Sequence, residues 1–175
     1  MTELLRLENI CNGFSGIPVL KNIDLDIKAG EVHVLLGENG AGKSTMIKIM
    51  TGSYIKDEGE MYWEGKKVNI QNPSDAMKLA IATIYQELNL IPELPVYENI
   101  FLGRELKRNG KYSFLNKKEM IRRSKEYLKR LGQEISPEAL VSSLGVGQQQ
   151  LVEIAKALTI DTKLIIMDEP TAALT

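Results

Sequence analysis

The sequence predicts an α/β fold: a parallel sheet, an antiparallel β region near the N-terminus and a mostly helical insert. Three observations carry this. Glu31–Leu36 is a short apolar run led by Gly30, and it passes through a glycine-rich turn into the helical stretch Met46–Met50. Lys163–Met167 is a second apolar run, ending in the carboxylates Asp168 and Glu169. Between them, at roughly 90–143, the pattern turns helical. Strands and helices alternate at both ends, as they do where helices cover a parallel sheet.

Each element has its own signal. Leu5, Leu7 and Asn9 alternate with polar neighbours, and so do Ile23, Leu25 and Ile27; both segments read as half-buried strands. Glu31–Leu36 reads as a buried strand, with His33 at an alternating position that makes it a core or interface side chain rather than a catalyst. The helix after the glycine turn starts at Thr45 and stops at Gly52. Glu60–Trp63 and Lys67–Val68 form a hairpin around Gly65. Asn72-Pro73-Ser74 opens a short helix ending near Ala80, because Pro suits the first helical position. Ile81–Tyr85 is a strand ending at Gln86. Pro92 and Pro95 break the chain, and Glu98–Leu102 follows as a helix. Asn116–Leu131 is the clearest helix: Asn116 caps it, Glu119 stands three residues on, and Met120, Ile121, Tyr127, Leu128 and Leu131 share a face before Gly132. Its many Lys and Arg form a solvated outer face. Leu151, Val152, Ile154, Ala155 and Leu158 mark another amphipathic helix, and Lys163–Met167 a buried strand. The organisation is a core, residues 1–86, a helical subdomain, 87–143, and a return to the core, 144–175.

Composition sets bounds. With 175 residues, 43% hydrophobic and 26% charged, the chain can bury one core. Twenty-two basic against 23 acidic side chains give a net charge of −1, so nothing in the bulk balance suggests affinity for nucleic acid or acidic lipid. The lone Cys11 allows neither an internal disulfide nor a Cys-rich zinc site, in keeping with a reducing cytoplasm. No apolar run approaches transmembrane length, and MTELLRLENI lacks the layout of a signal peptide.

The chemistry concentrates in Gly37-Glu38-Asn39-Gly40-Ala41-Gly42-Lys43-Ser44-Thr45, which fits G-x-x-x-x-G-K-[ST], the phosphate-binding loop of nucleoside-triphosphatases. Gly37, Gly40 and Gly42 let backbone N–H groups approach a phosphate without Cβ clashes. Lys43 supplies a mobile charge for the β- and γ-phosphates, Ser44 a hydroxyl for Mg²⁺, and the helix behind them its positive end. Asp168 and Glu169 complete the pattern. A carboxylate at such a strand end holds Mg²⁺, and its neighbour polarises the attacking water as general base; Asp168 takes the first role and Glu169 the second.

Together with Gln86, V-G-Q-Q-Q and I-M-D-E-P-T, this loop makes the chain resemble the ATPase subunit of ABC transporters. TIYQELNLIPELPVYENIFLGRE (83–105), GVGQQQLVEIAKAL (145–158) and IIMDEPTAALT (165–175) resemble more narrowly the first nucleotide-binding half of ribose/galactose-type monosaccharide importers. The resemblance covers essentially the whole chain. It implies a P-loop NTPase fold with a RecA-like core, ATP and Mg²⁺ as cofactors, and an ATPase that powers sugar import from the cytoplasmic face of the membrane, as a peripheral protein. It implies transmembrane permease subunits and a second ATPase half as partners, and indirectly a sugar-binding protein. Position by position, Phe14 matches the aromatic that stacks on adenine, the alternative being a core Phe. Gln86 matches the glutamine that senses Mg²⁺ and the γ-phosphate and links the core to the insert. Leu144-Gly145-Val146-Gly147-Gln148 matches the signature loop, which acts on the partner's ATP site, and residues 172–175 match the segment that crosses the dimer interface. The insert is where the family meets its membrane subunit.

Two departures stand out. Gly145 replaces the family's Ser, which donates to the partner's γ-phosphate, and Val146 replaces a Gly. The family's switch histidine and the central strand that carries it have no counterpart before Thr175, so the chain reads as a truncated first half of low intrinsic activity. That leaves Glu31–Leu36 and Leu164–Met167 to pair directly or to seek another chain. Two alternatives stand beside the transporter reading: a fragment that binds ATP without hydrolysing it, and a soluble ABC ATPase of nucleic-acid or translation processes.

Overall fold

Why the N-terminal half forms an antiparallel sheet is visible in its turns. The computed structural model describes residues 2–38, 40–85, 88–108 and 114–168, and these fall into two units, 1–82 and 83–175. In the first unit β1 (Glu3–Phe14) and β2 (Ile17–Lys28) are joined by the two-residue turn Ser15–Gly16, both residues at positive φ. β1 also pairs with β3 (Glu58–Trp63), and β3 with β4 (Lys66–Val68), giving the order β2-β1-β3-β4. All these pairings are antiparallel.

The alternation expected along β1 breaks at Asn9. Leu5, Leu7 and Ile10 are fully buried, but Asn9 adopts φ 50° and is exposed. Register shifts flank it between Leu7 and Ile10, so the strand bulges and Ile10 takes the inward place assigned to Asn9. The Asn9 N–H donates instead to Asp24 Oδ1 at 2.7 Å. In β2, Ile27 is buried but Ile23 is 36% exposed, because Asn22, at φ 48°, resets the face just before it. Met61 and Trp63 supply β3's inward side.

α1 (Lys43–Met50) follows the glycine loop and starts two residues before the position expected from sequence. It buries Met46, Ile47, Ile49 and Met50 and packs on β2. α2 (Pro73–Lys78) has Pro73 at its first turn and Asn72 as cap, whose side chain accepts from the Asp75 N–H at 3.1 Å.

Glu31–Leu36 is a correction. It is not a strand, and Val32 and Leu36 are 94% and 85% exposed. His33 is exposed too, with Nδ1 3.2 Å from Glu31 Oε1. The physical reason is pairing: among the described residues no strand lies beside this segment, and an apolar run without a ladder partner gains neither hydrogen bonds nor burial.

The second unit holds β6 (Leu164–Met167), which pairs with β5 (Ile81–Ile84), a strand that spans the boundary between the units. The expected direct pairing of 31–36 with 164–167 is therefore absent among the described residues. β6 is also less buried than expected: only Ile166 falls in the core and Met167 is 42% exposed. Among the described residues β5 is the strand that pairs with β6.

The helical part packs as one cluster. α3 (Val96–Ile100) begins two residues before the expected Glu98, because Pro95 in extended conformation serves as its N-cap. α4 (Lys117–Arg130) has the Asn116 cap, with the Glu119 N–H donating to its side chain at 3.3 Å. α5 (Val146–Ala157) packs against both. Tyr97, Ile100, Met120, Leu128, Val152 and Ala155 form the centre of the cluster, so the helix that follows the signature-like loop shares its core with the insert. Asn99, wholly buried, ties the proline-broken segment to α3: it accepts from the Ile91 N–H at 2.7 Å, and its Nδ2 donates to the carbonyls of Ile91, Leu94 and Pro95.

Candidate nucleotide site

In the first unit the glycine loop closes on its own lysine. Lys43 Nζ donates to the Gly37 carbonyl at 2.6 Å and to the Glu38 carbonyl at 2.8 Å, and the Ala41 N–H returns to the Glu38 carbonyl at 3.1 Å. The loop is thus gathered around an ammonium group at the start of α1. Gly42 is the N-cap at φ 87°, and a Cβ there would lie 2.6 Å from Leu20 Cδ2, itself a buried β2 side chain. The sequence puts glycine here because both the backbone conformation and the approach of β2 demand it.

The first N–H groups of a helix have no acceptor within it. Gly42 has no side chain to cap them, and no carboxylate stands in the first turn of α1. The result is a cluster of open donors, with the helix dipole and one ammonium behind it, suited to a polyanion such as a nucleotide's phosphates. Ser44 is exposed on the same turn, its hydroxyl available to a metal ion. Asn39 lies outside the described residues.

Phe14 ends β1 as an exposed ring, 43% accessible, which disfavours the core alternative. It is held from behind. Tyr54 meets it edge-to-face, with ring centroids 5.3 Å apart, and Lys48 of α1 stands 4.9 Å over the Tyr54 ring. The backbone is fixed there as well: the Gly13 N–H donates to Asp57 Oδ2 at 2.8 Å, and the Asp57 N–H to the Cys11 carbonyl at 2.9 Å. Tyr54 was missed from sequence. The available signal was an aromatic two residues past the glycine that ends α1.

In the second unit Leu144, Gly145, Val146, Gly147 and Gln148 form the entry to α5. Gly145 is the N-cap in extended conformation, φ −67° and ψ 158°, with nothing within 4 Å of where a Cβ would stand. Gln148 reaches back to accept from the Gly145 N–H at 3.3 Å, and Val146 is 53% exposed. Gln149, another residue missed from sequence, holds the loop in place by donating to the Leu144 carbonyl at 2.9 Å.

Farther along α5, Lys156 Nζ donates to the Asn89 carbonyl at 2.9 Å and stands 3.9 Å from Glu153. Burial pushes the Glu153 carboxyl up, and Lys156 and the Asn89 backbone partly offset it. This pair fastens the segment just after Gln86 to α5. Asp168 sits at the end of β6, half-buried, its N–H donating to the Ile84 carbonyl at 3.0 Å. Gln86, Glu169 and the 172–175 segment lie outside the described residues. Among the described residues there is no cluster of His, Cys, Asp or Glu arranged to hold a metal ion, and no helix is long and apolar enough to cross a membrane.

Comparison with known proteins bears on the same residues. Residues 20–172 match the ABC transporter family model. A ribose import ATP-binding protein of Streptomyces coelicolor is 51% identical over 173 residues, covering 99% of this chain and 33% of that protein. A putative ribose/galactose/methyl galactoside import ATP-binding protein of Burkholderia ambifaria is 47% identical, over 98% of this chain and 33% of its own length. The chain spans about a third of the length of the curated relatives it matches. Among solved structures, an ATP-binding cassette of an ABC transporter superposes with a TM-score of 0.85 at 31% identity, over 98% of this chain and 71% of its own. A dimeric cassette in a post-hydrolysis state, bound to ADP and Pi, gives 0.78 at 33% identity, over 98% of this chain and 76% of its own.

Proposed function

The chain belongs to the ABC transporter family, and from that premise we propose that it binds ATP and forms part of the ATPase that drives monosaccharide import. The observation that carries this reading is the glycine loop gathered on Lys43 at an uncapped helix start. The names of its relatives, ribose and ribose/galactose import ATP-binding proteins, supply the substrate class. The sugar itself would be chosen by other subunits.

In this reading Lys43 leaves the Gly37 and Glu38 carbonyls for the β- and γ-phosphate oxygens, and the N–H groups at the start of α1 hold the same oxygens in place. Phe14 offers its open face to the adenine. Ser44 and Asp168, with Gln86, are the groups that would hold Mg²⁺, and a bound Mg²⁺ neutralises charge on the phosphate oxygens. Glu169 takes a proton from the attacking water. Catalysis of this kind is positioning and charge neutralisation more than covalent chemistry.

The loop from Leu144 to Gln148 serves the ATP site of a second ATPase half. With Gly145 in place of a hydroxyl donor, its share of that site falls to backbone N–H groups at the start of α5 and to Gln148. The helical cluster faces permease subunits at the cytoplasmic side of the membrane, where the protein sits peripherally.

Titration calorimetry with Mg-ATP tests the reading. Hydrogen bonds to charged groups are worth about 1.5–3 kcal/mol each, so Lys43→Ala should weaken binding roughly ten- to hundredfold. Unchanged affinity would remove the glycine loop from the site.

A further inference from the structure

One face of α4 carries charge that the nucleotide site does not use. Lys118, Arg122, Lys125 and Lys129 follow one another at spacings of four, three and four residues along a 14-residue helix. At about 100° per residue they fall within an arc of about 60°, and at 1.5 Å per residue the row is about 16 Å long. All four are exposed. Met120, Ser124 and Leu128 occupy the buried side, so the basic row points away from the cluster that anchors the helix.

The carboxylates of α4 neutralise Arg122 within the row but leave its three lysines unpaired among the described residues. Glu119 binds Arg122 at 2.7 Å and Arg123 at 2.8 Å, and Glu126 binds Arg122 at 2.5 Å. Both acids are engaged by arginines, while Lys118, Lys125 and Lys129 have no ion-pair partner among the described residues. In a chain of net charge −1 this local excess of ammonium groups is not a by-product of composition.

We propose that the Lys118–Arg122–Lys125–Lys129 face of α4 rests against a bilayer surface of anionic phospholipid. Several features select that occupant. The face runs along one side of a single 14-residue helix, which suits a flat surface. Its unpaired cations are lysines, point charges on flexible stems, which fit a diffuse headgroup layer better than the bidentate geometry arginine brings to a defined phosphate. No exposed aromatic lies in the row for bases to stack on, since Tyr127 packs against the helical cluster. Basic helix faces of this kind draw anionic leaflets through charge, with a reach of about one Debye length, so the contact is reversible and salt-sensitive. The choice of a bilayer over other polyanions rests on the reading of the chain as a membrane transporter's ATPase. The contact itself would set how the helical part is oriented toward the membrane.

Co-sedimentation with sucrose-loaded vesicles tests this on the 175-residue chain. Vesicles of phosphatidylcholine with about one-third phosphatidylglycerol should bind it at least tenfold better than phosphatidylcholine alone at low salt, and about 0.5 M salt should abolish the difference. The triple variant Lys118→Gln/Lys125→Gln/Lys129→Gln should lose the preference while keeping the wild-type circular dichroism. If the variant fails to fold, the lipid and salt comparison on the wild type still decides. Equal binding to both vesicles, no binding, a triple variant that binds like wild type, or stronger binding to a short RNA duplex than to the anionic vesicles would each overturn the proposal. Mg-ATP titration of the same samples separates the two readings: vesicle binding without ATP binding counts against the nucleotide site alone, and the converse against this surface alone.

Discussion

α1 and α5 both start behind a glycine, Gly42 and Gly145, and both lie in glycine-rich motifs that sequence marked as functional. At Gly42 the backbone sits at φ 87° and a buried leucine stands where a Cβ would go. At Gly145 the backbone is extended and the space around it is empty. One glycine is required by geometry. The other occupies a position that any side chain could fill, including the Ser common in the family's signature loop. The helix starts differ in a second way. Both leave their first N–H groups without a side-chain cap, but at α5 Gln148 folds back onto the N–H of the N-cap residue Gly145 itself. A motif letter therefore means different things in the two places: at Gly42 it records a constraint, at Gly145 an absence.

Four substitutions sharpen or break this contrast. Gly42→Ala should have the largest effect. A left-handed conformation costs a non-glycine residue about 1–2 kcal/mol, and the overlap with Leu20 adds to it. We expect the thermal midpoint to fall by about 4–8 °C, with loss of Mg-ATP binding; an unchanged melt would mean that the loop relaxes freely and the contrast is empty. Asn116→Ala serves as a helix start with a true side-chain cap, and should cost about 1 kcal/mol by urea titration. If it costs nothing, capping arguments do not apply at these helix starts. Gln148→Ala should cost about 0.5 kcal/mol, because it frees a single N–H near solvent; a loss as large as that at Gly42 would show that the Gln148 contact organises the whole loop. Gly145→Ser should be the smallest change, a gain of a few tenths of a kcal/mol, since Ser is a slightly better N-cap than Gly. Measurable destabilisation there would contradict the open space around Gly145.

What sequence revealed and what it did not divide along a physical line. The turn from the glycine loop into α1, the Asn116 cap, the helix opened by Asn72-Pro73-Ser74 and the β3–β4 hairpin are specified by residues close together in the chain, and the structure forms each of them. The misses depend on distant partners. Glu31–Leu36 has the composition of a buried strand, but composition cannot supply a neighbouring ladder, and the segment is exposed without one. Asn9 fits the alternation of β1 until the register shift between Leu7 and Ile10, a bulge that no local pattern announces. Tyr54 behind Phe14 and Gln149 beneath the signature-like loop had at most a weak local signal, because their roles come from contacts set by packing. The candidate site was legible where it is a loop, and hidden where it is a scaffold.

Asn99 offers a practical handle on the helical part. The Ile91 amide is protected by a buried side chain and not by a sheet or helix ladder. Its hydrogen exchange therefore reports on one thing, whether the α3 cluster stays closed around Asn99, free of the fraying that complicates amides at element ends. The Ile91 amide resonance would then serve as a gauge of that cluster's opening, readable with nucleotide or lipid vesicles present or absent, and needing no label beyond nitrogen-15.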